Sequence, residues 1–333
     1  MRLLVLSGTD LHALLGYGEC ADAVRAALIA LQSGRAQQPL RSVIRPRGAV
    51  GLVALMPSYA GGAAADGEDP VYGLKAICIT PANPAAGLDT HQGVVLLSSG
   101  LTGEPLALLN ASAVTEIRTA AVSVVATELL ARPDADVLAV IGTGVQARAH
   151  VRALDEARQL REIRLAGRTP ARAGEFAASL GEHVRARIQP CESVREAVAG
   201  AGIVVTATNS AEPVLQAAWL APGTHINAVG ACLPTDRELE TAVMAGGVLF
   251  ADSRESMLSE SGDYVLAASE GAVGPGHIRA EIGEILAGHA PGRCDDSEIT
   301  IFDSLGLAIE DLAAAHRGYL HAKRTGLGTW VNF

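Results

Sequence analysis

Val137-Leu-Ala-Val-Ile-Gly-Thr-Gly-Val-Gln-Ala147 is the stretch on which the fold turns. Val137 to Ile141 is an unbroken apolar run of strand length, and it stops at a glycine. Gly142 permits a tight turn off that strand, Gly144 lets backbone approach a diphosphate, and small Ala147 lets the next helix pack close against the sheet. That helix, expected over Gln146 to Ala157, would turn unpaired N–H groups and its positive dipole end toward the loop. Between a strand and a helix the pattern is a dinucleotide fingerprint. Elsewhere in a chain rich in Gly and Ala the same letters make an ordinary turn.

Outward from this stretch the chain alternates. Short apolar strands at Ile163 to Ala166, Val184 to Ile188, Ile203 to Ala207, His225 to Val229 and Val248 to Ala251 are interleaved with helical segments such as Arg172 to Leu180. Strand and helix taking turns at this spacing predicts an α/β fold with a Rossmann, doubly wound parallel sheet. A helix over Thr119 to Ala131 leads into it, with Thr119, Ser123 and Thr127 on one face. A last strand, Ile299 to Phe302, precedes a terminal helix from Gly306 to about Lys323 that stands outside the alternation. The first hundred residues read instead as a helix over 19–33 followed by hairpin-like strands at Ser42 to Ile44, Gly51 to Met56, Tyr72 to Ile79, Gly93 to Ser98 and Pro105 to Asn110. Ala60 to Pro70 reads as a surface loop. Two domains follow: residues 1–118 with 306–333 as an α+β domain, and residues 119–305 as the Rossmann domain.

Composition narrows the function. With 26 basic and 36 acidic residues among 333 the net charge is −10, so no basic footprint offers itself to nucleic acid or anionic lipid. Half the residues are apolar (49%) and few are aromatic (3%), which calls for a core of Ala, Val, Leu and Ile. The five cysteines are scattered without a CxxC pair, so neither a disulfide framework nor a zinc ribbon is expected, and a reducing cytoplasm fits. No targeting or membrane segment is recognisable. His277 and His289 flank Glu281 and Glu284 without HExxH spacing, so no metal site is expected.

Two groups of residues carry chemistry. An NAD site usually places an acid about 20 residues after the glycines, on the ribose 2′-OH. Here the second strand runs into Gly167, Arg168, Thr169 and Arg172 with no carboxylate from Ile163 to Gly174, which suits the 2′-phosphate of NADP(H). NAD(H) remains possible if these arginines only begin a solvated helix. The second group is cationic: Arg41, Lys75 inside a largely apolar strand, and Arg118. Buried lysine is costly unless paired, so an anion is expected beside Lys75. Either a salt bridge satisfies it, or the three cations meet around a substrate carboxylate.

The phrases Gln-Pro-Leu-Arg41, Leu55-Met56-Pro57, Leu74-Lys75, Thr90-His91-Gln92-Gly93, Arg118-Thr-Ala-Ala, Gly142-Thr-Gly-Val-Gln-Ala, Asn227-Ala-Val-Gly-Ala231 and Phe302-Asp-Ser-Leu-Gly306 occur in this order. Together they resemble the ornithine cyclodeaminase/mu-crystallin family, from about Leu3 to Arg324. The resemblance implies a homodimer, with residues 1–118 and 306–333 as its substrate-binding and dimerisation domain, that transfers hydride between a nicotinamide and the α-carbon of an amino acid or its imine. It implies that Arg41, Lys75 and Arg118 grip the substrate carboxylate, with Met56 and Cys232 also at the substrate. Along the cofactor it implies Thr119, Gly142, Thr143, Gly144, Val145, Gln146, Arg168, Thr169, Arg172, Thr208, Asn227, Val229, Gly230 and Ser304.

The departures from that pattern discriminate among activities. Cyclodeaminases carry an acid where this chain has Cys232, and a Glu where it has Ala54. Closing ornithine on its own iminium needs a carboxylate to deprotonate the attacking ammonium, and a thiol with a reference pKa near ~8.5 replaces it poorly. An imine reductase needs only the carboxylate grip and a proton donor such as Lys75. The resemblance therefore points to reduction of cyclic ketimines or α-imino acids, reversible as an amino-acid dehydrogenase. Cyclodeamination of ornithine, or cofactor binding without catalysis, is the alternative. In either case Cys232 can be a small pocket filler, Asp303 either orients a cofactor-facing group or caps the following helix, and His91 and Gln92 either reach the pocket or are hairpin residues.

Overall fold

The computed structural model describes residues 2–61 and 69–333. The loop expected over Ala60 to Pro70 lies mostly outside them. In chain order the first elements are β1 (Arg2–Leu6), α1 (Gly8–Leu14), α2 (Tyr17–Gln32), β2 (Ala36–Gln37), β3 (Ser42–Ile44), β4 (Leu52–Ala60), β5 (Val71–Ile79), β6 (His91–Ser99), β7 (Pro105–Asn110) and α3 (Ala111–Leu130). The alternating region supplies β8 (Val137–Ile141), α4 (Val145–Ala157), β9 (Glu162–Ala166), α5 (Pro170–Leu180), β10 (Arg187–Pro190), α6 (Val194–Val198), β11 (Ile203–Thr206) and β12 (His225–Ala228). It continues through α7 (Thr241–Gly246), β13 (Val248–Ala251), α8 (Arg254–Glu260), α9 (Gly262–Ser269), β14 (Ile278–Glu281), α10 (Ile282–Leu286) and β15 (Thr300–Asp303). The chain closes with α11 (Ala308–Thr325) and β16 (Thr329–Asn332). Two compact units result: residues 1–118 with 306–333, and residues 119–305.

The unit of residues 119–305 holds an all-parallel sheet in the order β10-β9-β8-β11-β12-β15-β13-β14. Its central strands are apolar without alternation because both faces are covered. Every residue of β8, β11, β12 and β15 is buried, His225, Asn227 and Thr300 included. Each fully buried Val, Leu or Ile there contributes roughly 1.5–3 kcal/mol. The doubly wound α/β architecture expected from the alternation is the one present.

The other unit is a mixed sheet in the order β16-β1-β7-β6-β5-β4-β2, with β3 beside β4. One face alternates inward with Ala54, Met56 and Ser58 on β4, Gly73, Lys75 and Ile77 on β5, and Val95 and Leu97 on β6. Helix α11 lies on that face: Ser58 Oγ donates to the Ala308 carbonyl at 3.1 Å. A Cβ at Gly73 would sit 2.9 Å from a Leu312 methyl, so glycine at 73 is what lets the helix come so close.

Several boundaries differ from the sequence expectation, each for a local reason. Helix α3 begins at Ala111, eight residues before Thr119, because Asn110 Oδ1 accepts from the Ala113 N–H at 2.9 Å and starts the helix there. The strand expected at Val184 to Ile188 lies at Arg187–Pro190, since Asp155 accepts the Arg185 and Ala186 N–H groups and holds that approach out of the sheet. Glu281 ends a parallel strand, β14, rather than lying within a helix. After Gly326 (φ 77°) caps α11, the chain turns back and β16 pairs antiparallel with β1, an edge strand the sequence reading did not include.

Candidate active site

Strand β5 carries Lys75 on its inward face, opposite Met56 of β4 and Val95 of β6. Lys75 is 3% exposed. Its Nζ lies 2.7 Å from Asp311 Oδ2 and donates to Thr115 Oγ1 at 3.4 Å. The expected anion is therefore a carboxylate of α11. Burial draws the Lys75 ammonium down to about 8, Arg118 and Arg41 push in the same direction, and Asp311 opposes them. Arg118, on α3, donates through Nη1 to Glu310 Oε2 at 2.8 Å and sets its Nε 3.0 Å from Asp311 Oδ1.

The third cation reaches the same place by another route. Arg41 Nη2 donates to the Gly306 carbonyl at 3.0 Å, and a Cβ on Gly306 would fall 2.2 Å from Arg118 Nη1. Gly306 has φ +82°. A side chain there would be strained and would also displace the guanidinium, so the glycine ending the Phe302-to-Gly306 phrase is where Arg41 and Arg118 meet. Arg41, Lys75, Arg118 and Met56 are thus gathered in one unit. His91, at the start of β6, faces this charge: burial first, then Lys75 and Arg118, hold its imidazole down to about 4. Glu310 and Asp311 were absent from the sequence reading.

The remaining expected residues belong to the Rossmann unit. Gly142 has φ +126° and packs so closely that a Cβ would be 2.3 Å from the Ala207 carbonyl oxygen. Gly144 is the N-cap of the 13-residue α4, with open space where its Cβ would be, and Val145 beside it is exposed. His150 anchors this helix start, its ring nitrogens at 2.7 Å from the Gln146 carbonyl and 2.9 Å from Ser123 Oγ. Thr143 packs on Gly167, where a Cβ would meet its methyl at 2.9 Å. Arg168, Thr169 and Arg172 are exposed beyond β9, and Thr169 Oγ1 accepts from the Arg172 N–H at 3.4 Å as the cap of α5. Among the described residues neither arginine forms an ion pair.

Thr208 and Gly230 follow β11 and β12, and one buried carboxylate joins them. Glu238 accepts the Thr208 N–H at 2.6 Å and the Gly230 N–H at 2.7 Å. Asn227 donates to Thr127 Oγ1 at 3.0 Å, Val229 is buried, and Cys232 Sγ donates to the Val229 carbonyl at 3.2 Å. Asp303 accepts from Ser261 Oγ rather than capping α11. Burial, with Asp263 nearby, raises the Asp303 carboxyl well above the usual range.

This edge fits a dinucleotide on an observation of its own. Thr119 Oγ1, Asn227 Oδ1 and Ser304 Oγ are buried polar atoms without hydrogen-bond partners. Orphans of this kind are rare and need an explanation, and a bound nicotinamide with its ribose supplies one. No group of three or more metal-ligating side chains occurs among the described residues. No described helix is long and apolar enough to cross a membrane.

The sequence model of the ornithine cyclodeaminase/mu-crystallin family matches residues 2–325. The chain belongs to that family. Within it, the ketimine reductase mu-crystallin of Mus musculus is 39% identical over 286 residues, 86% of this chain and 85% of its own. The solved structure of Thermococcus litoralis Delta(1)-pyrroline-2-carboxylate reductase with NADH and L-proline is 37% identical, with a TM-score of 0.93 over 98% of this chain and 99% of that one. An archaeal alanine dehydrogenase dimer with bound NAD superimposes with a TM-score of 0.91 at 33% identity over the whole of both chains. These family members are oxidoreductases of amino or imino acids, and the two solved structures hold NAD or NADH.

Proposed function

We propose that this chain is an NAD(P)H-dependent reductase of cyclic ketimines and related α-imino acids, of the pyrroline-2-carboxylate and piperideine-2-carboxylate type. It would run reversibly as an amino-acid dehydrogenase. The observation that carries the reading is a buried Lys75, held at about 8, beside Arg118 and within reach of Arg41. Arg41 and Arg118 bind the substrate carboxylate through their planar forks. Lys75 is the proton donor, its proton affinity brought near the working pH by burial. When bound, a reduced nicotinamide supplies the hydride. The imine nitrogen takes the Lys75 proton as the α-carbon takes the hydride, and Lys75 regains its proton from water. No covalent nucleophile is required; the protein contributes position and charge.

Three finer features belong to the same reading. Arg168, Thr169 and Arg172 favour NADP(H), because exposed guanidinium groups beyond β9 match a 2′-phosphate. A homodimer is supported by the outer face of the N-terminal sheet, where Pro57, Leu74, Leu96 and Leu108 run in register beside exposed Tyr72 and Val94. The archaeal alanine dehydrogenase is a dimer. The five thiols are free, as a cytoplasmic protein's would be.

The test is direct. Addition of pyrroline-2-carboxylate or piperideine-2-carboxylate should consume NADPH absorbance, and NADH absorbance more slowly. Formation of proline and ammonia from ornithine with catalytic NAD would replace this reading with cyclodeamination. Tight NADPH binding without turnover of any imine would replace it with a binding role.

A further inference from the structure

Glu310 and Asp311 open α11 as neighbours in sequence, and both side chains are buried. Acids in a first helical turn ordinarily complement the dipole from solvent. These two are instead buried, Asp311 against Lys75 of β5 and Glu310 against Arg118 of α3, and they are used differently. Glu310 Oε2 accepts from Arg118 Nη1 and, at 3.3 Å, from the Leu307 N–H. Asp311 gives one oxygen to each of two cations: Oδ2 to Lys75 Nζ at 2.7 Å and Oδ1 toward Arg118 Nε at 3.0 Å. It is the carboxylate in ion-pair contact with Lys75 among the described residues.

Resting on the reading that Lys75 is the proton donor, we infer that Asp311 is a positioning residue whose single carboxylate spans Lys75 and Arg118. It fixes the ammonium at a set distance from the guanidinium that binds substrate carboxylate, and it draws a proton back to Lys75 after each turnover. In that turnover a new N–H bond forms on the imine as a Nζ–H bond breaks. Hydride from the reduced nicotinamide completes the α-carbon, and the neutral amine is left facing an anion. Asp311 itself touches neither substrate nor cofactor.

The surroundings of the pair support this division of labour. Lys75 is faced by Arg118 and Thr115 from α3, Arg41 from the loop before β3, His91 from β6, and Glu310 and Asp311 from α11. The imidazole of His91 stays neutral above about 4. Cys20 of α2 lies near the two acids, and burial, followed by Glu310, pushes its thiol up, so it adds no third anion. Removing the Asp311 charge therefore takes away the carboxylate paired with Lys75 and leaves Arg118 and Arg41 acting on it, while Glu310 stays paired with Arg118.

Asp311→Asn keeps the shape and removes the charge. Expected are a drop of about one pH unit in the Lys75 Nζ titration midpoint, followed by ¹⁵N NMR and assigned with Lys75→Arg. The basic limb of kcat/KM for pyrroline-2-carboxylate should move by the same amount, an about fivefold loss at pH 8 that grows to about tenfold one pH unit higher, with unchanged NADH affinity. A folded Asp311→Asn whose Lys75 titrates as in the wild type overturns the inference. Absence of imine turnover in the wild type would overturn the proton-donor reading alone, because the titration does not depend on activity. If Asp311→Asn does not fold, adding Lys75→Met decides: a double variant that recovers a folded chain supports the pairing, and one that stays unfolded overturns it.

Discussion

The two units treat buried polarity in opposite ways. In the N-terminal unit Lys75 and Arg118 are matched by Asp311 and Glu310, so charge is balanced within the fold. In the Rossmann unit the buried atoms without hydrogen-bond partners include neutral ones: Thr119 Oγ1 on α3, Asn227 Oδ1 in β12 and Ser304 Oγ just after β15. A substrate that comes and goes each cycle must not leave bare charges behind, because an uncompensated buried charge costs several kcal/mol. A cofactor site tolerates neutral orphans, at about 1–3 kcal/mol each, because the ligand that satisfies them resides there through the chemistry. Balanced cations against unpaired neutral groups is the contrast expected if, as proposed above, the N-terminal unit binds the substrate and the Rossmann unit the cofactor.

The largest effect should come from breaking the balanced side. Lys75→Met should lower kcat for imine reduction by about 10²- to 10⁴-fold, the range for loss of a general acid, while NADPH fluorescence titration gives an unchanged Kd. A variant that keeps a tenth of its kcat would remove Lys75 from the proton path. Next comes the waiting side. Gly142→Val forces a branched side chain into φ +126° and against the Ala207 carbonyl, so NADPH affinity should fall by about 10²-fold. Near-normal affinity in that variant would mean that the loop at 142 does not bind the diphosphate.

How much of this contrast is legible in sequence follows from where each signal is local. Val137 to Ala147 declares itself because strand, glycines and helix are consecutive. Lys75 stands out because a cation interrupts an apolar strand, and Arg41 and Arg118 because of the local phrases Gln-Pro-Leu-Arg41 and Arg118-Thr-Ala-Ala that carry them. Glu310 and Asp311 do not, since acids in a first helical turn look like ordinary capping, and only the sheet packed on α11 buries them. The one local hint is the apolar setting from Ala308 to Ala315, where a solvated face would carry more charge. Glu238 is missed for a related reason: its partners, Thr208 and Gly230, are 30 and 8 residues away and offer only backbone. Strand β16 is four residues long and exists because β1 offers an edge.

A smaller effect tests cofactor choice on the waiting side. Replacing Arg168 and Arg172 together by Ala should weaken NADPH binding about tenfold and leave NADH within about twofold. Exposed guanidinium contacts to a phosphate are worth on the order of 1.4 kcal/mol after screening. The tenfold difference should shrink at high salt. Equal losses for both cofactors would assign the arginines to the helix start alone.

The smallest effect concerns acid, and it separates groups within the Rossmann unit. Burial holds His150 at about 4 and His225 at about 3, whereas unfolded histidine titrates near 6.5. Between those values the unfolded chain binds more protons, so stability falls as pH falls from 6.5 toward 4. Asp263 acts in the opposite sense. Its carboxylate accepts the Glu238 and Leu239 N–H groups, and burial raises it to about 7 from 3.8. There the native state binds the extra proton, so acidification from 7 toward 4 stabilises. Asp263→Asn removes only this opposing contribution, and the fall in Tm between pH 7 and 4.5 should become steeper than in the wild type. Asp303, also raised by burial and left in place, keeps acting in the stabilising direction and limits the change to a few degrees. Parallel Tm profiles for the two proteins would mean that Asp263 is ionised in the native state throughout this range.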